Sequence, residues 1–160
     1  MKLRFLAIAT FTFLTMGTVL AGPFEDGVAA DNRGDYAIAL SIFRRLAAGG
    51  DANAQLRLSM MYDRGRGVSR NSTEELKWLR AAARKGNAQA QSNLGVAYTK
   101  GQDVVQDDVR AYAWFSISAQ AGNEAAMTNR NVVEKRMTPK QIADAQQLTL
   151  VCLQRLWKCD

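Results

Sequence analysis

The stretch DANAQLRLSMMYDRGRGV at residues 51–68 returns as NAQAQSNLGVAYTKGQDV at residues 87–104, an interval of 36 residues. The same interval separates Trp78 from Trp114 in the segments that follow. A strict internal period of this length is typical of supersecondary units that stack on one another. The pattern therefore predicts that function lies on a surface rather than in a catalytic pocket.

Each unit begins where a glycine is followed by Asp or Asn. Glycine adopts the left-handed backbone that ends a helix, and the next side chain caps the following helix. Ala54, Leu58 and Tyr62 then follow at i, i+4 and i+8, which places them on one helix face. We expect antiparallel helix pairs joined by tight corners at Gly50 and Asp51, Gly86 and Asn87, and Gly122 and Asn123.

A glycine-containing loop leads from each tyrosine into the second helix of the unit. In the first unit Ser72 precedes Glu75 by three residues, the spacing of a capping box, and Asp107 is expected to cap the corresponding helix of the second unit. The tryptophans recur at one position of these second helices. Trp78 and Trp114 are therefore interpreted as packing residues.

This arrangement resembles the Sel1-like repeat family, a relative of the tetratricopeptide repeats. The resemblance covers residues 51–122 and implies an all-α fold, an α-α superhelix of antiparallel helix pairs with a C-terminal capping helix. The sequence departs from the family pattern at Ser59, Glu75 and Asp103. At Asp103 the Gly-x-Gly loop loses its second glycine, so a different loop shape is expected there. The matching residues are Ala54, Leu58, Tyr62, Gly65, Gly67, Val68, Trp78, Ala82, Ala83 and Gly86, and then Ala90, Leu94, Gly95, Tyr98, Gly101, Val104, Asp107, Ala111, Trp114, Ala119 and Gly122.

The chain is expected to hold one helical repeat domain, residues 22–160, after a signal peptide at residues 1–21. Thr138 caps the predicted final helix, whose apolar stripe is expected to cover the exposed end of the stack. The predicted parts of the domain are a tetratricopeptide-like unit at 24–50, repeats at 51–86 and 87–122, and capping helices at 123–160. The stripe consists of Ile142, Ala145, Leu148, Cys152 and Leu156.

The first residues have the organisation of a secretory signal. Lys2 and Arg4 precede an apolar stretch from Phe5 to Leu20, and small residues follow it. A retained membrane anchor is the alternative, but this stretch is shorter than the roughly 20 apolar residues that cross a bilayer. We therefore expect a periplasmic or secreted protein with no membrane span after cleavage.

The charge balance is mildly basic. The chain has 21 Lys and Arg against 15 Asp and Glu, a net charge of +6, which falls to +4 without residues 1–21. The basic residues are spread over all units instead of forming a block, so nucleic acid is not an expected partner. An acidic protein or an anionic cell-wall polymer suits this charge better.

The only two cysteines, Cys152 and Cys159, lie close to the C-terminus. In an exported protein such a pair favours a disulfide. Seven residues of helix span about 10 Å, whereas bridged Cα atoms prefer roughly 5.5 Å, so the last helix should break near Leu156 or Trp157. An intermolecular bridge and free or redox-active thiols are the alternatives.

The chain contains no histidine. The usual general base near neutral pH and the histidine metal sites are therefore missing, so we expect no enzyme, no metal and no cofactor. Some disulfide-rich relatives in the family are linked to β-lactam binding or hydrolysis. Those relatives carry a cysteine pair within each repeat, and the repeats here carry none, so a β-lactam enzyme remains only a distant alternative.

The resemblance also places a binding surface on the concave face, which the first helix of each unit lines. Its mixture of apolar centres and polar edges suits a peptide or protein. The expected function is a non-enzymatic scaffold that binds another envelope or secreted protein. The alternative is a factor associated with peptidoglycan or exopolysaccharide that modulates lytic or assembly enzymes. The candidate residues are Asn53, Leu56, Met60, Asp63, Arg64, Gln89, Ser92, Val96, Thr99 and Lys100.

Overall fold

The computed structural model describes residues 22–155 and Cys159, so the predicted signal peptide at 1–21 lies outside the described residues. The described part of the chain is helical and contains no strand, which confirms the predicted all-α class. None of the helices described there is long and apolar enough to span a bilayer. The helices are α1 (Pro23–Arg33), α2 (Tyr36–Ala48), α3 (Ala52–Arg64), α4 (Ser72–Arg84), α5 (Ala88–Lys100), α6 (Asp108–Gln120), α7 (Glu124–Glu134) and α8 (Pro139–Gln154).

The predicted corners between units are present. Their glycines adopt left-handed backbone, with φ of 90° at Gly50, 86° at Gly86 and 87° at Gly122. The side chain that follows each glycine accepts a hydrogen bond from the main-chain nitrogen three residues later. These caps are Asp51 with Ala54 at 2.8 Å, Asn87 with Ala90 at 2.9 Å, and Asn123 with Ala126 at 3.1 Å.

The loops inside the two repeats share one shape, so the expected difference at Asp103 is wrong. Asp103 has φ of 57°, close to the 67° of its counterpart Gly67. The next helix caps, Asn71 and Asp107, have identical backbone angles, φ of −152° and ψ of 101°. Aspartate is among the few side chains that adopt left-handed backbone readily, and this preserves the loop.

The cap of α4 corrects the sequence prediction. Asn71 accepts a hydrogen bond of 3.0 Å from the nitrogen of Glu74, and Ser72 is already the first helical residue. Asn and Ser are about equally good caps, so local preference did not distinguish the two neighbours. The predicted caps at Asp107 and Thr138 are confirmed, and Thr138 forms a full capping box with Gln141.

Within residues 22–155 and Cys159, the core consists of two apolar clusters along the stack. The first joins α1 and α2 to α3, and Phe43 and Leu58 are completely buried in it. The second extends from α4 to α8, with Leu94 and Trp114 at its centre. Each helix pair therefore covers the apolar face of its neighbour, as expected for stacked repeats.

The final helix packs against α6 and makes few contacts with α7. Its buried residues Ala145 and Cys152 belong to the same cluster as Trp114, which is only 1% exposed. Trp78 is instead half-buried, and its Nε1 donates a hydrogen bond of 3.0 Å to Glu74. Trp78 packs against the first cluster, so both tryptophans are packing residues as predicted, although they differ in burial.

A disulfide joins Cys152 to Cys159, with their Cα atoms 5.2 Å apart. The helix ends at Gln154, earlier than predicted. The predicted break at Leu156 or Trp157 lies outside the described residues. Both cysteines are buried, so the bridge fastens the end of α8 to the second cluster.

Candidate functional site

A groove of about 500 Å³ lies between the beginnings of α3 and α5, and we call it the amino-terminal groove. Its apolar side chains are Phe24, Leu56 and Met60. The side-chain amide of Asn87 donates a hydrogen bond of 2.9 Å to Asn53 across the two helices. The groove thus combines an apolar surface with amide groups at its edge. Its lining is Phe24, Asn53, Leu56, Arg57, Met60, Asn87 and Gln89.

A smaller hollow adjoins this groove and shares Arg57 and Met60 with it. Its far side includes Arg66 from the α3–α4 loop, which forms an ion pair of 3.3 Å with Asp31. The Arg66 guanidinium also lies 5.3 Å from the centre of the Tyr36 ring. These contacts hold the loop against the first helix pair. Arg64 lines the hollow as well and adds positive charge to it.

A second groove, the carboxyl-terminal groove, has a volume of about 160 Å³ and lies between α5 and α7. Val132 stands at its edge with 56% of its surface exposed, while Phe115 is buried beneath it. Thr99 donates its hydroxyl hydrogen bond to the oxygen of Gly95 at 2.9 Å. The lining is Val96, Thr99, Lys100, Phe115, Asn129, Val132 and Val133.

Eight of the ten residues named from the sequence line these three hollows. Ser92 does not, because it is only 4% exposed, and its assignment to an accessible surface is wrong. The helix α5 packs against α4, α6 and α7, which leaves it a narrow free face. Asp63 lines none of the three hollows and pairs with Arg70 at 3.6 Å.

Sequence reasoning missed several lining residues. Arg57 follows Asn53 by four residues and precedes Met60 by three, so helical spacing was a usable signal for it. Phe24 and Val132 come from helices outside the two repeats, and no local pattern connects them to the grooves. Tertiary packing alone brings them there.

Carboxylates elsewhere on the surface respond to local contacts. The pKa of Glu74 lies below its ordinary value, chiefly because Lys77 donates a hydrogen bond to it. Burial, followed by the charges of Asp63 and Asp103, raises the pKa of Glu75. In the residues that the structure describes, no three His, Cys, Asp or Glu side chains are placed to hold a metal ion.

Comparisons with known proteins agree with this architecture. The Sel1 repeat model matches residues 52–87 and 88–123. The chain is similar to the crystal structure of a protective antigen, displaying an SLR fold, from uropathogenic Escherichia coli strains. The identity is 31% and the TM-score 0.78, over 84% of this chain and 30% of that one. It is also similar to a Sel1 repeat protein from Oxalobacter formigenes, with 27% identity and a TM-score of 0.65, over 69% of this chain and 45% of that one.

The chain thus spans less than half the length of either solved structure. None of the curated proteins matches it. The repeat-family match and the two similar structures agree with the tight corners, the paired helices and the stacked clusters described above. The chain thus contains two Sel1 repeats, and Sel1-repeat scaffolds generally mediate protein–protein interaction.

Proposed function

We infer that this protein is an exported scaffold that binds a segment of another envelope or secreted protein along the amino-terminal and carboxyl-terminal grooves. The observation that carries this function is that α3 and α5, the first helices of the two repeats, both line the amino-terminal groove, and that α5 also lines the carboxyl-terminal groove. Apolar side chains offer buried area to a partner, and amides at the edge offer hydrogen bonds to its main chain.

The charge around the grooves favours a partner segment that carries acidic residues. Arg57, Arg64 and Lys100 line the hollows, and the one acid among the lining residues, Asp31, is already paired with Arg66. Complementary charge speeds encounter and orients the bound segment. The disulfide supports export, because such bonds persist in oxidising compartments.

The test begins with capture of partners from periplasmic and culture-supernatant fractions. The captured protein is then purified, and its Kd is measured against the wild type and the Met60→Asp/Val96→Asp variant. Both residues line the grooves and are half-buried. Placing a carboxylate in each apolar centre should weaken binding at least about 10-fold.

The matched control is Ile38→Asp/Val105→Asp, which makes the same kind of change at sites 55% and 87% exposed, away from the grooves. This control should bind as the wild type does, and circular dichroism should show that both variants are folded. An equal Kd for the groove variant and the control would refute the proposed surface. If the wild type and both variants all sediment with purified peptidoglycan, the result would support the cell-wall alternative instead.

A further inference from the structure

The last three helices form a cleft that lies apart from both grooves. The helices α7 and α8 each pack against α6 but make few contacts with each other. The cleft between them has a volume of about 270 Å³. Its floor is a stripe of α6 formed by Tyr112, Ser116 and Gln120. Its sides include Arg130 from α7 and Leu150 from α8.

The position of Arg130 breaks the repeat pattern. It stands one 36-residue period after Leu94 and two periods after Leu58. Both leucines are completely buried in the core. In α7 an arginine therefore takes the repeat position at which the two preceding units carry a core leucine. Its side chain lines the cleft between α7 and α8.

Two polar groups in the cleft have no hydrogen-bond partner in the described part of the chain. The hydroxyl of Ser116 is buried without one, and the residue as a whole is only 6% exposed. The Nε of Arg130 is also buried and unpartnered, while its Nη2 donates to Asn131 at 3.2 Å. Among the residues that the structure describes, none of the side chains lining the cleft is acidic. Such groups are costly to bury unless a bound molecule satisfies them.

We propose that this cleft binds a free carboxylate carried on a short aliphatic group. The guanidinium fork matches the two oxygens of a carboxylate, and the Ser116 hydroxyl adds a donor on the floor. Leu150 and the ring of Tyr112 provide apolar surface for the aliphatic part. A carboxylate suits a cleft with one cation better than a phosphate, whose second charge needs further donors. The C-terminus of a peptide and a small organic acid share this chemistry.

Nuclear magnetic resonance titration of the purified protein tests the proposal. The probes are N-acetyl-leucine, its C-terminal amide, 4-methylpentanoate and inorganic phosphate. N-acetyl-leucine should shift the signals of Ser116, Arg130 and Leu150 with a Kd of roughly millimolar order, and the amide and phosphate should leave them unchanged. Equal binding by 4-methylpentanoate assigns the site to small organic acids, and much weaker binding assigns it to peptide C-termini.

Variants of the cleft separate a binding role from a structural one. Arg130→Leu restores the leucine of the preceding repeats, so it should fold and lose the N-acetyl-leucine shifts. Arg130→Lys keeps the charge without the fork and should bind at least about 5-fold more weakly. Arg45→Leu, at an exposed arginine of α2 that lines neither groove nor the cleft, should bind normally. The proposal is overturned if Arg130→Leu binds like the wild type, or if the acid and its amide shift the same signals equally.

Discussion

The side-chain amide of Gln91 donates a hydrogen bond of 3.1 Å to the main-chain oxygen of Ala83, near the end of the preceding helix. Gln55 makes the same bond to Ala47, also at 3.1 Å. Both glutamines are buried. Each of these oxygens also accepts a main-chain hydrogen bond of 3.0 Å, from Gly86 at Ala83 and from Gly50 at Ala47. The glutamine therefore supplies a second bond, which ties successive units together.

Two replacements of Gln91 should distinguish the stability that this hydrogen bond contributes from the stability lost when a charge is buried at the same position. Methionine, which α7 carries at the corresponding Met127, should lower the free energy of unfolding by about 1 kcal/mol or less. Glutamate places a buried carboxylate against the Ala83 oxygen and should cost about 3 kcal/mol at neutral pH. Urea unfolding measures both variants. Equal midpoints for Gln91→Met and Gln91→Glu would contradict this role.

Gly95 provides space for the Phe115 ring, since an added Cβ would lie 2.6 Å from it. Gly95→Ser should therefore destabilise the protein by about 1–3 kcal/mol, although serine favours helix over glycine. In the first repeat the corresponding residues are Ser59 and Leu79. Combining Gly95→Ser with Phe115→Leu copies that pair and should recover most of the lost stability.

A double-mutant cycle by urea unfolding checks this compensation. The control pairs Gly95→Ser with Val133→Ala, which changes a buried residue of α7 in the same core cluster. If stability recovers when Gly95→Ser is combined with Phe115→Leu but not with the control, the glycine is needed because the ring at position 115 is large. If the losses of stability simply add in both combinations, the Phe115 ring does not require a glycine at position 95.

Glu75 should make the stability depend on pH. Burial and the nearby carboxylates of Asp63 and Asp103 raise its folded-state pKa above the ordinary 4.5. The folded protein then holds the proton more tightly, so stability falls as pH rises from 4.5 through the folded-state pKa. Glu75→Gln should remove this fall and gain about a few tenths of a kcal/mol near neutral pH, because the site is partly exposed to solvent.

Urea unfolding of the wild type and of Glu75→Gln, at pH values below 4.5 and above the folded-state pKa of Glu75, measures this pH dependence of stability. Asp103→Gly is a useful companion, because it removes one neighbouring carboxylate and places glycine at the left-handed position. It should reduce the pH dependence without abolishing it. A stability difference between wild type and Glu75→Gln that does not change with pH would disprove the assignment.

Loss of the disulfide should act mainly on α8. Replacing Cys152 and Cys159 with alanine should lower the free energy of unfolding by about 2 kcal/mol, the value for a short closed loop. Hydrogen exchange should accelerate in α8, which the bridge fastens, more than in α3, which lies in the other cluster. Equal acceleration in both helices would indicate a global rather than a local role.

The sequence predicted the helices and their corners more completely than the residues of the candidate site. Corners such as Gly86 with Asn87 were predictable because the signals are local: one backbone angle and one side-chain cap. Met60 and Val96, which the family resemblance placed on the concave face, line the two grooves, and their role in binding remains a proposal. Arg57 was missed although its spacing was available, and Ser92 was placed wrongly because its burial depends on three neighbouring helices.

The sequence by itself determined the stacked helix pairs of this protein, because a 36-residue period combines left-handed glycines, caps and apolar stripes that act over short distances. The tertiary structure alone decided where α8 packs. By lying on α6 rather than on α7, that helix joins the core cluster that contains Trp114 and leaves the cleft beside Arg130. Contacts between helices distant in sequence depend on the complementarity of whole surfaces, and no local pattern of residues encodes that choice.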